Sequence, residues 1–245
     1  MDISLVFYIL LFIVAFLYAA VGHGGASGYL ALMALYGVAP EVMKPTALLL
    51  NVFVSITSFI QFYRGGYFKW KIFWPLAIGS VPMAFVGGLI PIETELYKKI
   101  LGVLLLIPVT RFLLVTKESE KELATPSIAI SLMIGVFIGL LSGLIGIGGG
   151  IILSPLLLLL RWTDMKQTAA ISALFIFVNS ISGLLGQLTK GIHFNTDMYL
   201  FVVIAFAGGI FGAYFGALKF NHKVLKYILA IVLLVAAYKL LFTKA

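Results

Sequence analysis

An all-α polytopic membrane protein is the fold class this sequence predicts, on three observations. Of 245 residues, 62% are hydrophobic and 11% charged, against about 25% charged in soluble domains. The apolar residues fall in blocks without internal charge, each near the ~20 residues with which a helix rising ~1.5 Å per residue crosses a bilayer. At two glycine clusters, finally, a long apolar run stops and a short one begins.

Taken in order, the first run (4–21) lacks the basic n-region of a cleaved signal peptide and reads as a retained helix. GHGGAS, from Gly22, separates it from a short apolar piece at 27–38. Long runs follow at 45–62, 72–90 and 96–115. The one plainly aqueous stretch, Lys117 to Thr125 ahead of Pro126, marks a linker near the midpoint. Beyond it come a run at 127–145, the cluster GIGGGI from Gly146, a short piece at 150–160, and long runs at 167–187, 198–216 and 223–242. The short pieces fall below the length of a ~30 Å hydrocarbon core and read as half-helices. Pro82 and Pro108 interrupt long runs, and Trp70, Trp74 and Trp162 fit interfacial anchors. The organisation expected is about eight long apolar helices and two half-helices, in a first membrane repeat (1–116), a polar linker (117–126) and a second membrane repeat (127–245).

The halves resemble each other. The glycine cluster at Gly22 recurs at Gly146, 124 residues on; Lys44, Thr46 and Ala47 recur as Lys166, Thr168 and Ala169, 122 on; and Gly66 matches Gly191, 125 on. A glycine cluster, a KxTA turn and a Gly-rich helix recurring in one order point to an internal duplication, a common transporter architecture. Loop charge selects its sense. If 4–38 and 127–160 each return to their starting side, the 17 Lys and Arg divide eleven against six; if each is one broken crossing, they divide nine against eight. The positive-inside rule therefore favours returning segments and inverted repeats, with the 64–71 loop and the linker cytoplasmic and both termini outside.

Several functional classes drop out. With no Cys there is no disulfide framework, thiol nucleophile or cysteine zinc site. The net charge of +8 comes from single Lys and Arg between apolar blocks, as retained cytoplasmic loops require, so nucleic acid is not an expected partner. Neither glycine cluster completes GxGxxG or a P-loop. No metal site and no cofactor are expected. No Asp or Glu lies inside a long run, so the usual carboxylate of a proton or sodium relay is missing.

What remains is chemistry carried by the backbone. Gly22, Gly24 and Gly25, and Gly146, Gly148, Gly149 and Gly150, can open the chain where a half-helix presents unpaired N–H groups and the positive end of its dipole. Such ends bind anions, and at membrane depth the unwound backbone must be buried in protein or face a watery cavity. His23, once protonated, would add attraction and pH dependence; as a neutral ring it would bond a carbonyl. Asn51, Ser55 and Ser58 share a helix face, as do Ser172, Asn179 and Ser182; such stripes line a path or tie helices together. Asn51 and Asn179 offer amide donors for an oxyanion, with Thr46 and Thr168 at the helix starts. Close helix packing is the plainer reading of the glycines.

The two clusters, G-x-G-G followed by an apolar run and GIGGGIILSPLLL with Pro155, each trailed by a polar turn with Thr, resemble the sulfite exporter TauE/SafE family over essentially the whole chain. The resemblance implies a secondary transporter of the cell membrane, multi-pass, moving a small oxyanion such as sulfite or an organosulfonate by alternating access. The implied partners are the anion and the lipid bilayer, and a homo-oligomer is left open. The substrate-binding set expected is Gly22, His23, Gly24, Gly25, Ser27, Thr46, Asn51, Gly146, Gly148, Gly149, Gly150, Thr168 and Asn179. No catalytic residue is expected. The alternatives are an anion channel on the same loops and, from the GxSG string Gly25–Gly28, an intramembrane serine protease. The second is disfavoured because Ile151 stands at the serine's place in the other half.

Overall fold

The computed structural model describes residues 5–20, 25–114, 123–191, 196–216 and 222–242. Among them are ten helices: α1 (Leu5–Ala20), α2 (Ala26–Leu35), α3 (Pro40–Arg64), α4 (Trp70–Leu89), α5 (Thr94–Leu114), α6 (Ile128–Ile145), α7 (Gly150–Leu159), α8 (Met165–Leu188), α9 (Thr196–Gly216) and α10 (His222–Phe242). No strand occurs among the described residues. The helices follow the apolar runs and extend them where local chemistry allows. α3 starts at Pro40, since a proline with φ fixed near −65° and no N–H suits the first helical position. α8 starts behind Asp164, whose carboxylate accepts from the Gln167 N–H at 2.8 Å.

α3, α4, α6 and α8 are each long and apolar enough to cross a membrane; α1, α2, α7 and stretches of α9 and α10 are shorter apolar helices. α2 and α7 have 10 residues each. Apolar side chains also point outward. On α1, Leu5, Ile9 and Ile13 are exposed one turn apart while Phe7, Leu11, Val14 and Tyr18 are buried; on α6, Met133 and Phe137 are exposed. A helix apolar on both faces fits a bundle whose surrounding solvent is lipid. Trp70 and Trp74 are exposed as interfacial anchors would be, but Trp162 is not. It is buried in a cluster with Phe73, Leu76, Ile171 and Phe175, so its ring packs on α4 and α8 instead of facing outward.

Close packing in three helix pairs is backbone on backbone, and in one of them, α4 with α8, Gly88 lies against the Gly183 carbonyl and Gly186 against the Phe85 carbonyl. α4 and α6 run parallel, with Gly135, Gly139 and Gly143 set against the carbonyls of Leu76, Ser80 and Ala84, one turn at a time. α1 and α9 run parallel in the same manner, Gly208 and Gly212 against the carbonyls of Phe12 and Phe16. A Cβ at any of these glycines would overlap that carbonyl. Small residues that let backbones approach are the usual glue between helices in lipid, where burial of apolar surface gives no net drive.

Two further close pairs are antiparallel. Along α3 and α8, Leu48 approaches Gly183, and Asn51 and Ser180 approach Gly148 together. Lys166, at the start of α8, donates to the Tyr67 hydroxyl just past the end of α3 at 3.1 Å. Gly102, early in α5, packs on Leu240 and Leu241 near the end of α10. α1 and α2 form a hairpin whose ends meet, the Phe7 and Tyr36 rings being 5.0 Å apart. So do α6 and α7: the Arg161 carbonyl accepts from the Ala124 N–H at 2.8 Å.

The bundle thus has two ends. At one, the Lys44 ammonium lies 4.8 Å from the centre of the Tyr97 ring, the Tyr97 hydroxyl donates to the Ile145 carbonyl at 3.2 Å, and Lys239 donates to the last-turn carbonyl of Leu35 at 2.8 Å. At the other, the Lys166 ammonium lies 4.8 Å from the centre of the Tyr67 ring.

Candidate functional site

The break between α6 and α7 reaches the interior of the bundle. Gly146 ends α6 in the left-handed region (φ 85°), its N–H bonded to the Ser142 carbonyl at 2.9 Å. Gly148 and Gly149 are left-handed too, at φ 71° and 78°, a conformation that costs other L-residues roughly 1–2 kcal/mol each. The chain descends from Gly146, packed on the backbone of Lys44, to Gly148 between Asn51 and Ser180, and to Gly150 against Ile176. α7 then starts with its N–H groups unpaired; the first bonds are from Ile152 and Leu153 back to the Gly149 carbonyl. Those free N–H groups are the orphan donors of any helix start, here at a buried position.

Around them stand polar side chains without partners. Asn51 is fully buried, and neither its Nδ2 nor its Oδ1 has a hydrogen bond. Ser180 is also fully buried with an unpartnered Oγ. A Cβ built on Gly148 would lie 2.6 Å from Asn51 Nδ2 and 2.9 Å from Ser180 Oγ, so both donors converge on the strip of backbone that glycine leaves bare. Each unpaired buried polar group costs roughly 1–3 kcal/mol. A cluster of them is therefore expensive unless something else binds there. No charged side chain is among the buried residues described, so what the site offers is neutral donors and a helix start.

Not all of the expected residues join it. Gly22, His23 and Gly24 lie outside the described residues. Gly25 caps α2 at φ −80°, so unlike the second cluster it does not use the left-handed region. Ser27 Oγ is paired with the Tyr18 hydroxyl at 2.6 Å, leaving the GxSG serine bonded to a phenol rather than to a base. Thr46 donates to the Val42 carbonyl at 2.6 Å, and Thr168 to the Asp164 carbonyl at 2.7 Å while also meeting Thr163. A threonine within a helix can always reach back one turn, and both threonines do. Asn179 is half spent: its Nδ2 donates to the Phe175 carbonyl at 2.8 Å, and only Oδ1 is unpartnered. Ser55 and Ser58 bond the carbonyls of Asn51 and Val54, Ser172 accepts from Ser154, and Ser182 reaches the Val81 carbonyl on α4. Ser55, Ser58 and Asn179 thus bond within their own helices, Ser172 and Ser182 tie α8 to α7 and α4, and Asn51 does neither.

Two residues of interest were not singled out by the sequence. Ser180 lies beside Asn179 in a polar pair, a signal that was present but unused. Tyr29, fully buried with an unpartnered hydroxyl, had no sequence signal, since an aromatic residue in an apolar run reads as packing.

The sulfite exporter TauE/SafE family model matches residues 7–240. The probable membrane transporter protein y4hK of Sinorhizobium fredii is 34% identical over 94% of this chain and 95% of its own length. The probable membrane transporter protein YunE of Bacillus subtilis is 24% identical over 84% of this chain and 82% of its own. No solved structure matches the chain. A family match over almost the full length, joined to helices that are apolar outside and bury a few uncharged polar groups in an apolar core, means that this chain belongs to the TauE/SafE sulfite exporter family and is a multi-pass membrane transporter, not an enzyme.

Proposed function

We propose that the protein is a secondary carrier of a small oxyanion, sulfite or an organosulfonate, held at the α6–α7 break and released to either side by alternating access. The observation that carries this reading is the unpartnered amide of Asn51, beside Ser180 and the bare backbone of Gly148. Amide, hydroxyl and helix-start N–H groups are all donors, the complement of an oxyanion's acceptors. Neutral donors bind an anion through hydrogen bonds that low dielectric strengthens, without the desolvation cost of a permanently buried charge.

Helix pairing supports the inverted-repeat reading, with eight crossing helices and two half-helices. Set α1–α5 against α6–α10 and the pairing of α4 with α6 corresponds to that of α9 with α1, both parallel. α3 and α5 then pair with their own counterparts, α8 and α10, both antiparallel. A two-fold axis in the membrane plane produces that combination, whereas an axis along the membrane normal would make the self-paired helices parallel. Asn51 and Ser180 meet near the middle of the α3–α8 pair, where such carriers bind substrate.

The test is flux of sulfite, methanesulfonate and sulfate in proteoliposomes of the purified chain, with and without the same anion on the far side. Saturable uptake of sulfite or the sulfonate, accelerated by counter-substrate, is the expected result. Non-saturating flux without counterflow would make the protein a channel. No flux of any of the three would remove the oxyanion assignment.

A further inference from the structure

The start of α2 carries an unpartnered donor of different chemistry from the set at the α6–α7 break. Tyr29 sits in the first turn of this 10-residue helix, and helical side chains lean toward the N-terminus. Its ring accordingly folds back so that its hydroxyl lies beside Gly25, where an added Cβ would overlap it. Tyr29 is fully buried and its hydroxyl has no hydrogen-bond partner. Nearby hydroxyls do not relieve it: Tyr18 and Ser27 satisfy each other at 2.6 Å. An unpaired phenol is thus aimed at a helix start, itself a source of orphan N–H donors.

Packing alone does not explain the hydroxyl. At the 124-residue spacing of the glycine clusters, the place of Tyr29 is taken by Leu153, which is fully buried and holds the first turn of α7 without a polar atom. Phenylalanine would fill the space of Tyr29 and avoid the desolvation of an unmade hydrogen bond. The retained oxygen makes sense where a ligand completes it.

We propose that Tyr29 is a substrate-binding residue, its phenolic O–H donating to an oxygen of the transported anion at the start of α2. The proposal rests on the oxyanion-carrier reading above. The two half-helix starts then differ, one offering an amide and a serine hydroxyl, the other a phenol.

Tyr29→Phe is the test, because it removes one oxygen and keeps the volume. In proteoliposomes, the wild-type protein first establishes sulfite or methanesulfonate flux. The variant is expected to show KM raised roughly tenfold, the usual worth of a hydrogen bond to a charged group, with maximal flux within about twofold of wild type. The thermal midpoint of the substrate-free variant should equal or exceed that of wild type, and the stabilisation produced by millimolar sulfite should shrink. A lower substrate-free midpoint with unchanged KM would make the hydroxyl structural and overturn the proposal. Unchanged KM and unchanged midpoints would overturn it as well. Failure of wild-type flux, in contrast, would strike the carrier reading itself.

Discussion

At the residue scale, function and stability pull against each other at Asn51. Its amide is desolvated and unpaired, so Asn51→Ala should leave the substrate-free protein within about 1 kcal/mol of wild type or raise its stability, since it removes groups that cost roughly 1–3 kcal/mol to bury unpaired. Sulfite flux should fall at least tenfold, checked by initial rates in proteoliposomes beside a thermal melt. Asn51→Asp should be more damaging, because a carboxylate repels the anion and would be a lone buried charge. Gly148→Ala probes the other wall. Its φ of 71° and the clash with Asn51 Nδ2 and Ser180 Oγ predict loss of transport with membrane insertion retained. Gly66→Ala is the control: it shares the left-handed φ, at 76°, but a Cβ there meets nothing within 4 Å, so it should cost about 1 kcal/mol and leave flux intact.

At the element scale, α4 is held to α6 and α8, and α1 to α9, by close contact of backbones. Gly143 on α6 would, with a Cβ, overlap the Ala84 carbonyl, and Gly139 the Ser80 carbonyl. Gly143→Leu should therefore force α4 and α6 apart and lower the yield of monodisperse protein on size-exclusion chromatography in detergent. Overpacking costs about 1–3 kcal/mol in well-packed cores, and rigid backbone on both sides leaves little room for relief. Leu substitution at exposed Met133, on the lipid-facing side of the same helix, should have no such effect. The half-helices are supported differently. α2 has its last-turn carbonyl at Leu35 bonded by Lys239, a cation where the helix dipole is negative.

At the scale of the whole molecule, the inverted-repeat reading has a direct consequence for topology. Lys190 stands at the Lys44 end of the bundle, close enough to repel Lys44, and Arg161 at the opposite end beside Ala124; both are exposed. The chain contains no native Cys, so single-Cys variants report without background. In sealed cells, a membrane-impermeant maleimide should label Lys190→Cys from outside and Arg161→Cys only after permeabilisation, as the loop-charge asymmetry requires. Labelling of both from one side would overturn the two-ended arrangement.

Much of the fold was legible because hydropathy acts locally. In lipid every backbone group must be satisfied within its own segment, so apolar length alone marks out helices, and the glycine clusters mark where they break. The same sequence determined the family, through the order of its glycine and KxTA motifs. Which polar residues are free was not legible. Thr46 and Asn51 look alike as polar positions on α3, yet one reaches its own helix carbonyl and the other has nothing to reach. Trp162 reads as an anchor, yet its ring is buried against Phe73 and Phe175 while Arg161 and Asp164 beside it are exposed. The meeting of Gly148, Asn51 and Ser180 joins α3, the α6–α7 break and α8, and the freedom of the Tyr29 hydroxyl depends on Tyr18 and Ser27 having paired with each other. A chain pattern reports what each segment can bury; only the tertiary structure decides which donors are left over, because a hydrogen bond is settled by the neighbours that distant segments bring.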